Sequence, residues 1–481
     1  MHDIGDRMIR ILSALPEPQT LMALAFTLAA LLGGCGRGKK AAVEHPAPGA
    51  SNLHRFLVLD PGHFHAALVF QRPGYEGISP DVSIYAPVGE DFTEHMARVV
   101  PFNTRAENPA KWVYRAYLGP DFQDVMLREK AGDIAVISGR NSGKIERILS
   151  CVNAGMHVLA DKPWIIDHSA FALLDSALSD AGRKHVAAYD IMTERYEITT
   201  ILQRLIAADE AVFGALEKGT PSDPGVKKSV HHITKTVAGK PLRRPWWFFD
   251  TAVQGEGLTD VTTHLVDLVF WTLFPEQAID WRNDIEMVSA SRWPTVLTLD
   301  EFSRVTGRTE FPKDFALDGK GNLPYFCNGQ MIFRVRGVTA QVQVEWKYEA
   351  PPGGGDTHYS MVKGTKARVI VLQEKEQNYR PEIFVEPAPG VDHSAAGRAL
   401  SEFVKKLAAK ELPGVSVVED RGRWRINIPQ TYRIGHEAHF GQVTEQFLKY
   451  VNGAPMPAWE RPNMLAKYYT TTKALELARE K

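Results

Sequence analysis

The sequence predicts an α/β protein: an N-terminal Rossmann-like, doubly wound parallel sheet followed by an α+β domain on a largely antiparallel open sheet. Three observations predict it. Between residues 53 and 190 short apolar runs alternate with amphipathic helical stretches, the pattern of a parallel sheet. Beyond residue 191 the runs take a two-residue alternation of apolar and polar positions, as strands with one covered face do. The length of 481 residues exceeds one small core and suits two domains.

The elements follow in chain order. Residues 1–35 read as a lipoprotein signal peptide. Arg7 and Arg10 precede the apolar run "LMALAFTLAALLGG", which is too short to span a bilayer, and Leu32-Gly33-Gly34-Cys35 resembles a bacterial lipobox. Cys35 is then the lipidated residue, 36–52 a polar tether, and the cell envelope the expected location, periplasmic or outer surface; a misread signal would leave the chain cytoplasmic.

Residues 53–190 form the expected dinucleotide-binding domain. Phe56 to Leu59 is a strand, Pro61-Gly62 a turn, and Ala66 to Phe70 a helix. "VSIYAPVG" is a second strand, and Ile134 to Ile137 a third, followed by a helix whose apolar face is Ile145, Ile148, Leu149 and Val152. His157 to Ala160, a helix from about Ser169 and the strand "KHVAAYD" complete it. Residues 191–481 form the expected second, α+β domain. It opens with a helix around 195–208, an irregular Pro/Gly-rich section and a helix after Asp260. "GQMIFRVRG", "TAQVQVEWKYEA", "HYSMVKGTKARVIVLQE" and "PEIFVEP" follow as strands, and helices near 394–410, 438–451 and 463–480 complete the pattern.

A formal net charge of −1, without a long basic or acidic block, gives no footprint for nucleic acid and favours small ligands. The cysteines Cys35, Cys151 and Cys327 are too few and too scattered for a disulfide framework or a CxxC site.

Three stretches carry chemistry. In "LDPGHFHAAL" a turn between strand and helix can bring backbone N–H groups to a pyrophosphate. Gly62 stands at one expected glycine of G-x-G-x-x-G, with Asp60 and His65 at the others; His63 and His65 can donate to phosphate. A metal set of Asp60, His63 and His65 is the rival reading, but no further ligand cluster accompanies it and no metal site is expected. The second strand, ending Ile84-Tyr85-Ala86-Pro87, lacks the usual ribose-binding acid, and Glu90 and Asp91 come late. In "MHVLADKPW" the charged pair Asp161-Lys162 lies at the carboxyl end of a buried strand, where open α/β sheets bind ligands. In "QGEGLTDVTTHLVDLVFW" Asp260, His264 and Asp267 fall on adjacent turns of one helix face. Buried polar groups there need partners or a substrate; the plainer reading is a capping Asp260 and a satisfied core histidine.

Together these stretches resemble one family. "AGMHVLADKPW" resembles the "aGkHVlcEKP" motif and "GEGLTDVTTHLVD" the "GGxxxDxgxHxxD" motif of the glucose-fructose oxidoreductase / inositol dehydrogenase / MocA (Gfo/Idh/MocA) family, while "VISGRNSGK" resembles its strand-four turn, with Asn141 at the asparagine. The tail and "RPWWFFD" resemble a subgroup with its own C-terminal domain. The resemblance implies an NAD(P)-dependent oxidoreductase acting on a secondary hydroxyl of a sugar, polyol or glycoside. Lys162 matches the lysine beside nicotinamide and hydroxyl, His264 the acid/base, and Asp260 the orienting acid; Asp161 stands at a glutamate. Gly62, His63, His65, Ser138, Asn141, Asp161 and Lys162 are the implied cofactor contacts. Arg195, Lys235, Trp246, Trp247, Asp250 and Asp267 suit a substrate wall, because aromatic faces match sugar C–H surfaces and charged groups match hydroxyls. Export implies tightly held NAD or NADP. Redox-neutral glycoside cleavage through a 3-keto intermediate is the alternative chemistry, and a non-catalytic sugar-binding lipoprotein the alternative class. Pairing through the open sheet, the family's habit, implies a homo-oligomer.

Overall fold

The structure is a computed structural model that describes residues 9–10, 53–237 and 240–480. Cys35, the tether and the signal peptide other than Ile9–Arg10 lie outside the described residues.

Six parallel strands form the first sheet: β1 Phe56–Leu59, β2 Asp81–Ala86, β3 Val113–Leu118, β4 Ile134–Ile137, β5 His157–Ala160 and β6 Ala188–Asp190. Their order is β3-β2-β1-β4-β5-β6, with Ile9–Arg10 pairing antiparallel outside β3. Helices α1 His65–Leu68, α2 Glu90–Thr104, α3 Phe122–Glu129, α4 Lys144–Asn153 and α5 Phe171–Lys184 supply the crossovers. β1 and β4 are buried along their whole length, which is why they read as unbroken apolar runs. The chain leaves β1 for β2 on one side and returns to β4 on the other. That reversal opens a crevice at the carboxyl ends of β1 and β4, the position where doubly wound sheets take ligands. β3 and α2 were absent from the sequence reading; β3 is only half-buried and its polar Arg115 and tyrosines mask the strand pattern.

The second sheet has nine strands: β7 Gly225–Thr234, β8 Ile285–Leu297, β9 Leu323–Val335, β10 Val338–Glu349, β11 Thr357–Lys363, β12 Ala367–Gln373, β13 Glu382–Pro387, β14 Ser416–Asp420 and β15 Arg423–Asn427. Its order is β8-β9-β10-β7-β11-β12-β13-β15-β14, antiparallel except where β7 runs parallel to β10. β7 falls in the section that reads as irregular. Its lysines and histidines alternate with few apolar residues, yet it is an interior strand, paired on both sides. The remaining helices are α6 Ile198–Ala207, α7 Thr251–Gln254, α8 Thr262–Leu273, α9 Leu299–Thr306, α10 His393–Lys410, α11 His436–Val451 and α12 Glu460–Arg479.

Alternate residues of β1 serve opposite faces. Phe56 and Val58 pack with Phe440, Val443 and Phe447 of α11, whereas Leu57 and Leu59 share a core with Ile148, Leu174, Met464 and Tyr468. α12 also sends Ala466, Ala474 and Leu475 against Met331, Phe333 and Val342 of the second sheet. The boundary at 190/191 therefore separates the sheets but not the packing: α11 and α12, expected with the second domain, complete the core of the first.

Candidate active site

The site is assembled at the carboxyl ends of β1, β4 and β5, where short strands stop and turns bring polar groups together. β5 ends at Ala160, and Asp161 and Lys162 follow with a cis peptide bond to Pro163. Lys162 Nζ donates to Asp260 Oδ1 at 2.5 Å, a pairing that joins the first sheet to the turn before α8. Both side chains are 9% exposed. Gln254 adds a donor to Asp260 Oδ2 at 3.3 Å. Burial works to raise the Asp260 carboxyl, and the Lys162 ammonium outweighs it, holding the group ionised below its ordinary range.

His264 lies on the first turn of α8. Burial, reinforced by the charge of Lys162, holds its imidazole well below the ordinary histidine value, so the ring is neutral. Its Nδ1 has no hydrogen-bond partner among the described residues. Lys162 is thus the charge shared by Asp260 and His264, and its field also reaches His63 and Glu194.

Glu194, in the turn after β6, was not singled out from the sequence because nothing in "TERY" marks it. Desolvation, and then Glu197, push its carboxyl up to about 7. From the second sheet comes a cluster on Asp356. His231 Nδ1 lies 3.1 Å from Oδ2 and His232 Nδ1 3.4 Å from Oδ1, and Lys235 also pairs with this carboxylate. Lys235 stands where a substrate wall was expected, but its ammonium is engaged by Asp356.

The turn after β1 departs from the expected phosphate cradle. Asp60 takes the left-handed conformation that a glycine would adopt, φ +48°, and its buried carboxylate meets Arg140 at 3.4 Å and Arg147 at 3.5 Å. The Gly62 N–H donates to the Asp60 carbonyl at 2.8 Å and the His63 N–H to the Ser138 carbonyl at 3.0 Å, so two amides of the turn are spent internally. Gly139, after β4, approaches so closely that a Cβ would lie 2.0 Å from the Asp60 carbonyl oxygen. Over Gly62 sits Trp247: an added Cβ would meet its Cζ2 at 2.8 Å. The indole Nε1 donates to both oxygens of Asp91 at 3.1 Å, and Arg140 stacks 5.0 Å from the ring.

His63 and His65, expected as phosphate donors, turn instead toward Asp161: His65 Nδ1 bonds its Oδ2 at 2.8 Å and His63 Nδ1 lies at 3.2 Å. Ser138, expected as a cofactor contact, is wholly buried and donates to the same oxygen at 3.3 Å, so it supports the carboxylate. Asn141 is likewise committed, donating to the Gln254 carbonyl at 2.6 Å and accepting from Lys144 Nζ at 2.6 Å. Lys144, in the quoted turn but not singled out there, also donates to the Asp161 carbonyl, and burial lowers its ammonium to about 8.

Arg195 and Asp267 are not substrate groups. They form a buried bidentate pair, extended by Glu460 on Arg195 and Lys467 on Asp267. Trp246 packs toward Phe315 in the core beneath the second sheet, and Asp250 caps α7 through the Ala252 N–H at 2.9 Å. Of the expected wall, Trp247 borders the nucleotide turn.

A cavity of about 280 Å³ opens beside this turn, close to the roughly 300 Å³ at which small-molecule sites begin. Gly62, His63, Phe64 and the start of α2 line one side, and Arg243, Arg244 and Arg308 the other. The cavity thus opens beside the turn that follows β1, at the same sheet edge from which Lys162 leaves β5.

Comparison with known proteins bears on this architecture. A family model described as "Putative oxidoreductase C terminal domain" matches residues 202–479. A crystal structure of a "putative oxidoreductase" from Parabacteroides merdae ATCC 43184 is 48% identical, covers 90% of this chain and 98% of its own, and superposes with a TM-score of 0.87. The chain belongs to the Gfo/Idh/MocA-type oxidoreductases. Levoglucosan dehydrogenase, solved with NADH and L-sorbose, is 12% identical over 89% of this chain and 97% of its own, with a TM-score of 0.55; at that identity the likeness shows the fold. No curated protein matches the chain. As a Gfo/Idh/MocA-type oxidoreductase it keeps the motif lysine and histidine, Lys162 and His264, and departs at Asp60 and Asp161.

Proposed function

We propose that this oxidoreductase removes hydrogen from a secondary hydroxyl of a carbohydrate or polyol, with NAD or NADP as the hydride acceptor. The observation that carries the reading is the 2.5 Å contact of Lys162 with Asp260, beside a neutral His264, across the cleft between the two halves.

The crevice fits such a cofactor in outline. The cavity would take its nucleotide part, and Arg243 would offer charge to the phosphates where the turn's amides are spent; Arg308 on the same wall is paired with Glu90 at 3.1 Å. Lys162 would stand beside the nicotinamide. When bound, the dinucleotide supplies a hydride acceptor. The protein's own residues handle the proton. His264, held neutral, accepts it from the carbinol oxygen. Lys162 keeps an ammonium beside that oxygen and stabilises the developing alkoxide, while Asp260 fixes the ammonium in place. Glu194, raised to about 7, and the Asp356 cluster border the same cleft and suit hydroxyl groups.

Sugars and polyols offered with NAD⁺ and with NADP⁺, followed by absorbance of the reduced nicotinamide, test the reading. Lys162→Met is expected to lower turnover by a factor on the order of 100 or more while circular dichroism stays unchanged. Undiminished turnover in that variant would remove Lys162 from the mechanism.

A further inference from the structure

Three potential metal-ligand atoms from two strand ends converge beside the cleft. His63 and His65 leave the turn after β1, Asp161 leaves β5, and their ligand atoms all lie within 4.8 Å of one another. The imidazoles meet edge to face, ring centres 4.1 Å apart at 86°. Their Nδ1 atoms approach the same carboxylate oxygen, at 3.2 Å from His63 and 2.8 Å from His65.

A hydrogen-bonded histidine–aspartate pair accounts for only half of this arrangement. His65 forms that bond, whereas the buried Nδ1 of His63, 3.2 Å from the same oxygen, makes no well-aligned hydrogen bond among the described residues. A tetrahedral ion accounts for both. Zinc holds nitrogen and oxygen ligands at about 2.0–2.2 Å, which places neighbouring ligand atoms roughly 3.3 Å apart. The observed separations need only small outward rotations to reach it. The supporting shell is also present: Ser138 donates to the Asp161 carboxylate, Lys144 to its carbonyl, and Phe440 backs the His65 ring at 4.6 Å. The nearby Lys162 ammonium is neutralised by Asp260, so an incoming cation does not meet a bare like charge.

We propose that His63, His65 and Asp161 bind one divalent transition-metal ion of zinc's class through Nδ1, Nδ1 and a carboxylate oxygen. His63 also lines the cavity, so the fourth coordination position opens toward the crevice. Three fixed protein ligands with one open position suit an ion that takes an exogenous oxygen. Asp60, the third member of the ligand set considered from sequence, is held by Arg140 and Arg147; Asp161 takes its place.

The full chain, stripped with a chelator, would be titrated with Zn²⁺ by calorimetry and with Co²⁺ by visible absorption. The expected result is one Zn²⁺ per chain and cobalt bands of a four-coordinate nitrogen/oxygen site. His63→Ala, His65→Ala and Asp161→Asn should each abolish stoichiometric binding. Lys162→Met should retain it, which separates this site from the dehydrogenase reading: that variant loses turnover and keeps metal. Absence of stoichiometric binding by the unmodified chain would overturn the proposal, as would its persistence in a His63→Ala/His65→Ala variant that keeps its circular dichroism.

Discussion

Arg195 and Asp267 face each other in a bidentate pair, Nε to Oδ2 and Nη2 to Oδ1 both at 2.7 Å, with 7% and 3% of their side chains exposed. Glu460 and Lys467 of α12 complete the group, and Lys467 reaches on to Asp190 at 2.6 Å. Breaking a buried pair by removing one partner typically costs about 3–5 kcal/mol. Arg195→Ala should therefore lower unfolding free energy by roughly that amount in urea titration. A loss below 1 kcal/mol would show that α12 is held by packing alone.

The same pair sets an acid limit. Burial alone would raise the Asp267 carboxyl, but Arg195 and then Lys467 hold it far below the ordinary value. A depressed carboxyl contributes stability that is complete above its unfolded pKa of about 4 and is lost as pH falls below it. Thermal melts of Asp267→Asn and the parent chain should differ most at neutral pH and converge in strong acid.

Lys227 has the opposite sign. It lies within the core of the second sheet, 4% exposed, and among the described residues its Nζ donates only to Gln203 Oε1, at 3.0 Å; burial lowers it to about 7. Between pH 7 and about 10 the unfolded chain keeps a proton that the folded chain gives up, so stability rises with pH. Lys227→Met should be more stable than the parent by a few kcal/mol at pH 7, and the gap should close by about pH 10. Chemical denaturation at both values checks it; a destabilised variant at pH 7 would mean that Lys227 has an unseen partner.

Asp260→Asn tests positioning. Asparagine keeps the size but cannot hold the Lys162 ammonium by charge, so turnover should fall by about 100-fold with little change in KM. A pure KM effect would place Asp260 in ground-state binding instead.

Gly62→Ala would put its Cβ 2.8 Å from Trp247 Cζ2 and 3.3 Å from Asp91 Oδ2. The indole must move, and with it the wall of the crevice. Dinucleotide affinity, read by quenching of tryptophan fluorescence, should weaken by about tenfold, or 1.4 kcal/mol. Unchanged affinity would show that the cofactor does not approach this turn.

Lys162 and Asp260 were legible in sequence because each sits at a boundary that local chemistry marks: an apolar run stopped by a charge, and acids spaced along one helix face. Asp267 carries the same local signal as Asp260, yet serves the core. Its partners Arg195 and Lys467 lie far along the chain, at separations of 72 and 200 residues, and no local pattern announces them. His63 and His65 were legible as functional types but not in direction, since Asp161 stands 96 residues beyond His65. β7 was missed for a related reason: an interior strand flanked by polar cleft residues does not alternate as a half-buried one does.

The packing of α11 and α12 on β1 has a kinetic meaning. Phe440, Phe447, Met464 and Tyr468 are interior residues of a sheet whose last strand is finished at Asp190. During synthesis the first sheet therefore emerges without the groups that close its two faces. Those two faces are covered by helices that follow nearly all of the second sheet in sequence. The crevice at the ends of β1 and β4 therefore rests on helices that come from the far end of the chain.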